Sequence, residues 1–357
     1  MRRGGKLRKS RAFQTPDQRT SCSSGMMFSW ISRGVTEKKS APRVRGAVVL
    51  FRNLAGMPFV SSAFFVPVWK EEVRDRLRNI RRMPLRQKGN GEGVTLLLSL
   101  LGIVTGEAFF LRQNRTAWEG VMVNGREHIQ IFAEGSTLRF GSFWEAVDFW
   151  DNEIEREVDY AYDPGWGYLT SSLSLLGSGC QVYLWIHLPA LSFIYGEEKL
   201  LQWLKDNRDL TVKGLGKNGE IYAHVFEISN RFTLGVSEWD VVRTIETLAI
   251  RVFKWEQQAR FHFGDSPSRM DSFWEKLEDL TQEMFRKDDN MEKGVFDFLS
   301  LWFLGEEKGI IGEDGGLQYR EVANLTSAWL VGDAARRNRV EALKILGVWP
   351  RRILNHV

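Results

Sequence analysis

GYLTSSLSLLGSGCQVYLWIHLPAL, residues 167–191, is the stretch on which the reading of this chain turns. It opens on Tyr168-Leu169-Thr170, read as a strand, and bends through Gly177-Ser178-Gly179. It then re-enters a strand that ends at His187-Leu188-Pro189. Two glycines around a small hydroxyl, set between strands, let a backbone come close to a phosphate. Yet no Lys or Arg occurs anywhere in the stretch. The bend has a phosphate site's shape and lacks its charge.

The rest of the chain sets the bounds. At 357 residues with 43% hydrophobic and 12% aromatic content, it has the makings of one large domain or two modest ones. Two cysteines, Cys22 and Cys180, allow neither a metal quartet nor a disulfide framework, so a reducing, cytoplasmic setting is expected. Residues 1–45 hold twelve Lys or Arg against two acids, a net of +10, which leaves −6 for the remainder. The charge of the whole is therefore a property of its start. Residues 1–42 are read as a basic disordered tail without assigned function, with Met26 and Met27 as alternative starts, and no nucleic-acid partner is expected. The longest apolar run, VTLLLSLLGIVTG (94–106), is 13 residues, too short for a bilayer and suited to a buried helix. No membrane association is expected.

Periodicity supplies the elements. AVVLF (47–51), VMVN (121–124), HIQIFAEG (128–135), LTVKGL (210–215) and YAHVFEIS (222–229) read as strands. Residues 68–84, 141–161, 197–207 and 237–259 read as helices, the second on the spacing of Phe143, Ala146, Val147, Trp150 and Ile154. After HFGDSPS (262–268) the pattern is helical throughout. The expectation is an α+β domain over 43–262, an antiparallel sheet flanked by helices, then a small all-helical domain over 265–357.

Six stretches in collinear order resemble the bacterial protein-arginine kinases (McsB-type) of the phosphagen, or guanidino, kinase superfamily. They are VLFRNLAGMPF (49–59), VMVNGREHIQI (121–131), EVDYAYDPGWGYLTSS (157–172), GSGCQVYLWIHLPAL (177–191), LTVKGL (210–215) and EISNRFTLGVSEWDVV (227–242). The resemblance implies ATP and Mg²⁺ as cofactors, with the nucleotide lying on the sheet. It also implies protein partners, an activator or Clp-protease components, and it allows a homodimer.

Moving a γ-phosphoryl group onto a guanidinium requires cations on the phosphates and carboxylates that orient and deprotonate the acceptor. The resemblance places the ATP-holding arginines at Ala47, Val49, Gln130, Gln181 and Lys213, beside the bend Gly177-Ser178-Gly179. Only Lys213 keeps a charge. The position of the family's base is occupied by Arg126, a charge reversal that would repel an arginine substrate. Glu127 and Glu220 are the remaining candidate carboxylates. In the C-terminal third, Asp333 and Arg336 match part of a phosphoarginine-binding signature, and a simple surface ion pair is the plainer reading. No metal site is expected, since His128 and His187 lack a second ligand at suitable spacing. Cys180 reads as a small buried hydrophobe. The sequence thus points to a pseudokinase, a protein-arginine-kinase-like scaffold or regulator. The alternative is an active kinase that reuses Arg43, Arg45 and Glu220.

Overall fold

The computed structural model describes residues 43–58, 67–78, 80, 96–113, 117–285, 291–311 and 334–348. The tail 1–42 and Asp333 lie outside them. Seven strands form one sheet in the order β2-β3-β4-β1-β7-β9-β8. They are β1 (Val44–Arg52), β2 (Glu107–Gln113), β3 (Ala117–Val123), β4 (Ile129–Gly135), β7 (Cys180–His187), β8 (Leu210–Gly214) and β9 (Val225–Asn230). A two-residue pair, β5 (Tyr162–Asp163) and β6 (Gly167–Tyr168), stands apart. Every neighbouring pair in the large sheet is antiparallel.

The central strands are apolar on both faces because both faces are covered. Val48, Leu50, Ile131, Leu184 and Ile228 face one way and form a cluster with α3 (Phe140–Glu155) and α6 (Glu238–Phe261). Each helix turns a periodic stripe inward: Phe143, Val147, Trp150 and Ile154 on α3; Val242, Ile245, Ala249 and Val252 on α6. Ser237 caps α6, its hydroxyl accepting from the Asp240 amide at 3.1 Å.

Ala47, Val49, Phe51, Phe132, Tyr183 and Trp185 face the other way. They share a second apolar cluster with Leu96–Leu98, Ile103 and Val104, and with helices from the C-terminal third. These helices are α7 (Pro267–Phe285), α8 (Met291–Glu307) and α9 (Ala334–Ile345). The remaining helices are α1 (Pro67–Leu77), α4 (Pro189–Tyr195) and α5 (Glu197–Lys205). No described residue after β9 is in a strand, and no described helix is long and apolar enough to cross a membrane.

Two sequence expectations need correction. The apolar run 94–106 is buried, but only Leu97–Leu100 (α2) is helical. Gly102 and Gly106 adopt φ of +67° and +89°, which ends the helix and turns the chain back. The expected strand at Tyr168-Leu169-Thr170 shrinks to Gly167–Tyr168, followed by a 3₁₀ turn at Leu173–Leu175.

Candidate functional site

Strand register brings the sequence-derived positions together. Val49 pairs with Gln181 on one side and Phe132 on the other, and Ala47 pairs with Tyr183 and Glu134. Gln130 pairs with Phe51, and Lys213 with Glu227. By the two-residue alternation of strands, Ala47, Val49, Gln130, Gln181 and Lys213 all project from the same face. This face is the one that carries the second apolar cluster.

Each of these positions has a definite set of neighbours on this face. Ala47 and Val49 are fully buried among apolar neighbours. Gln130 is also fully buried, and its amide is spent on one residue. Its Nε2 donates to the Thr105 carbonyl at 2.9 Å and its Oε1 accepts from the Thr105 amide at 3.1 Å. That pair fastens the end of the 96–106 segment to the sheet. The start of the segment is held by Glu134, whose carboxylate accepts from the Leu97 and Leu98 amides at 3.2 and 3.0 Å. Gln181 accepts from the Tyr183 hydroxyl, and the Tyr183 ring stacks on Trp185 with centroids 5.6 Å apart. Burial pushes the Tyr183 phenol well above its usual range, with Glu227 adding to the effect. Lys213 lies 3.1 Å from Glu227, which also accepts from the Trp185 indole at 3.0 Å.

The two displaced arginines are likewise engaged. Arg45 pairs with buried Glu134 at 2.7 Å, and Arg43 with Glu307 at 2.8 Å. A rebuilt phosphate clamp from these two would have to break both pairs.

The candidate acids divide. Glu127 is buried and its carboxylate is saturated: it accepts from Asn53 Nδ2 at 2.6 Å, the Ser171 amide at 2.9 Å, the Ser171 hydroxyl at 2.7 Å and the Ser172 amide at 3.3 Å. It ties two loops together and is not placed as a base. Arg126, its neighbour, donates from its backbone to Thr105 Oγ1 at 2.9 Å and from its side chain to Ser172 Oγ at 3.3 Å. Glu220 is exposed and closes the tight turn at Lys217–Gly219, its carbonyl accepting from the Gly216 amide at 2.9 Å. Arg336 sits on α9.

The bend also differs from a phosphate cradle. The Gly177 amide donates to the Tyr168 carbonyl at 3.2 Å and the Ser178 amide to the Thr233 carbonyl at 2.9 Å. These two amides are bonded within the chain. The glycines are required by close packing: a Cβ on Gly177 would stand 2.5 Å from the Thr233 oxygen, and one on Gly179 2.6 Å from the Phe51 oxygen. Both have positive φ, +108° and +61°. Gly179→Ala is expected to lower stability by about 1–3 kcal/mol through backbone strain and overpacking. A urea midpoint unchanged from wild type would count against this packing.

Sequence reasoning missed Arg52. Only 1% exposed, it donates to Asp151 through Nε at 3.1 Å and through a terminal nitrogen at 2.9 Å. Its other nitrogen reaches the Ser178 carbonyl at 2.9 Å, and the guanidinium lies 3.6 Å from the centre of the Tyr168 ring. Burial pulls its pKa down, but Asp151 and the tyrosines outweigh this and hold the cation above its ordinary value. Arg52 thus braces the bend from beneath. Its only sequence signal was a cation ending an apolar strand, with no partner nearby.

His128 accepts from the Leu54 amide at 3.1 Å through Nδ1, so Nε2 carries the proton toward the Pro58 carbonyl, also at 3.1 Å. Burial lowers its pKa, and it packs as a neutral structural histidine. Burial also pushes the Cys180 thiol far above its usual range, with Glu238 adding to the effect.

Comparison with known proteins agrees with this architecture. Residues 97–259 match the family described as ATP:guanido phosphotransferase, C-terminal catalytic domain. The protein-arginine kinase of Staphylococcus aureus (strain USA300) is 28% identical over 194 residues, covering 53% of this chain and 57% of that protein. The same kinase from strain Mu3 matches at the same identity and coverage. The chain thus spans little more than half the length of the curated relatives it matches. The duplicated taurocyamine kinase of Schistosoma mansoni, solved with transition-state-analogue components, superposes with a TM-score of 0.50 at 13% identity, over 70% of this chain and 39% of that one. That likeness speaks to the fold: an antiparallel sheet flanked by helices. The sequence matches and the fold agree: residues 97–259 are similar to the ATP:guanido phosphotransferases, and the curated relatives that the chain resembles are protein-arginine kinases.

Proposed function

We propose that this protein has lost phosphoryl transfer and serves as a scaffold or regulator built on the guanidino-kinase fold. The observation that carries the reading is the state of the sheet face. Where the superfamily resemblance calls for phosphate-binding cations, this chain has two fully buried aliphatic residues and two hydrogen-bonded glutamines. The one cation left, Lys213, is paired with Glu227. Such a donor set does not fit a triphosphate with Mg²⁺, which needs several converging cations. The base position is Arg126, and Glu127 has no lone pair directed at a substrate, given the four donors it already accepts. An active kinase built on repositioned residues is less well supported, since Arg43 and Arg45 are both in ion pairs.

In this reading the partners are proteins, an activator or components of a Clp-type protease being the classes the superfamily resemblance suggests, and the chain works in the cytoplasm. The test is a transfer assay with radiolabelled ATP, Mg²⁺ and an arginine-rich protein acceptor. The expected result is no acid-labile protein phosphate above a no-enzyme control. Turnover that is lost in the Lys213→Ala variant would overturn the proposal.

A further inference from the structure

Away from the sheet face, α5, the β8–β9 connection and α8 converge on three side chains that the proposed function does not use. Glu197, His224 and Asp297 each bring one ligand-type atom to within 4.8 Å of the others. His224 and Asp297 are buried and Glu197 is partly so. They are far apart in sequence, so no spacing motif announces them.

The backbone is strained where the histidine is held. Ala223 and His224 adopt φ of +54° and +53° in succession, a left-handed conformation that side chains other than glycine rarely take. Strain of this kind persists where surrounding structure enforces it, and it concentrates at functional sites. Here it directs His224 Nδ1 to Ser300 Oγ at 2.7 Å and leaves Nε2 facing Glu197 Oε1 at 3.7 Å. That separation is too long for a hydrogen bond. It is close to the roughly 3.4 Å between two ligand atoms on one tetrahedral zinc with bonds of about 2.0–2.1 Å.

Two further atoms point to a missing partner. Glu197 Oε1 is buried and has no hydrogen-bond partner. Ser192, 5% exposed and on the wall of the same cleft, has a hydroxyl in the same condition. The outer layer of a metal site is also present: Ser300 orients the imidazole, and the Ala223 amide donates to Asp297 Oδ1 at 2.8 Å.

We propose that Glu197, His224 and Asp297 form a divalent transition-metal site in the floor of a cleft of about 970 Å³ between α5 and α7. One imidazole and two carboxylates suit Zn²⁺ best, with a fourth position left to water from the cleft. Metal on Nε2 places the proton on Nδ1, which donates to Ser300. The serine hydroxyl then donates to His187 Nε2, 2.7 Å away, and the 3.4 Å contact between His187 Nδ1 and Arg260 is given up. Lys293 is the site's competitor. Its ammonium donates to Glu197 Oε2 and the Ile221 carbonyl, each at 2.9 Å, and to Asp297 Oδ2, leaving Glu197 Oε1 for the ion. Removing that charge should therefore tighten binding.

The experiment uses the full-length protein, stripped with EDTA and titrated with Zn²⁺ by calorimetry and with Co²⁺ by visible absorption. One ion per chain is expected, with His224→Ala and Glu197→Gln each weakening binding at least about tenfold and Lys293→Met strengthening it. His262→Ala, at the exposed His262–Asp265 pair, should leave affinity unchanged. Circular dichroism of each metal-free variant checks folding. If His224→Ala misfolds, Glu197→Gln on the partly exposed rim decides. Absence of saturable binding by wild type overturns the proposal, as does undiminished affinity in the folded variants, which would mean an adventitious ion held elsewhere.

Discussion

Replacing Asp151 by alanine is expected to lower the stability of the fold by about 3–5 kcal/mol, because it leaves the Arg52 cation buried without its hydrogen-bonded counter-charge. The two side chains exchange two hydrogen bonds at 3.1 and 2.9 Å, with Arg52 1% exposed and Asp151 4%. Carbonyls of Phe51 and Ser178 and the face of Tyr168 would remain around the guanidinium without negative charge, and the partly exposed Glu238 carboxylate, 3.7 Å away, is too distant for a hydrogen bond and would compensate the cation only in part. The cost should therefore be that of a poorly compensated buried ion, not of one lost hydrogen bond. A second variant separates the two. Arg52→Met with Asp151→Leu removes both charges and should cost less than Asp151→Ala alone. Urea unfolding measures both. A loss below about 1 kcal/mol for Asp151→Ala would mean that the pair does not brace the bend.

Val49→Arg is the second large effect. It would restore a cation at a position where the superfamily resemblance expects one. In this chain Val49 is fully buried, set between Gln181 and Phe132 in register and surrounded by the second apolar cluster. A guanidinium there would be both too large and unpaired, and the expected cost is at least about 4 kcal/mol, enough to unfold a marginal protein. Gln181→Arg, on a half-buried side chain of the same face, should stay within about 1 kcal/mol of wild type. The contrast distinguishes a filled site from a vacated one. If Val49→Arg keeps wild-type stability and gains affinity for MgADP, the face is a pocket waiting for its charges, and the reading of it as packed core is wrong.

Much of the fold was legible because its strands and helices follow their periods. AVVLF and HIQIFAEG announce buried strands, and Phe143, Val147, Trp150 and Ile154 announce α3. The strand Glu107–Gln113 was missed because EAFFLRQ does not alternate cleanly and begins at a glycine turn that breaks the apolar run before it. The same turn shortened the helix expected over 94–106 to Leu97–Leu100.

For the site, sequence position was enough to identify which residues share a face, since strand alternation follows from the chain itself. What could not be read was the use each residue had found. That Gln130 holds Thr105, that Glu127 fastens Ser171 and Ser172, and that Arg52 meets Asp151 are all long-range pairings with no local signature. The bend at Gly177-Ser178-Gly179 is the clearest case. Its composition is that of an anion cradle, but its glycines serve close contacts with Thr233 and Phe51, and the Gly177 and Ser178 amides are bonded within the chain.

The most direct test of the account is titration of the wild-type protein with MgADP, followed by calorimetry and by tryptophan fluorescence, since Trp185 lies on the face in question. With Ala47 and Val49 in the core and Gln130 and Lys213 already engaged, no saturable binding is predicted up to millimolar nucleotide. Saturable binding at micromolar concentration, weakened by Lys213→Ala, would contradict it.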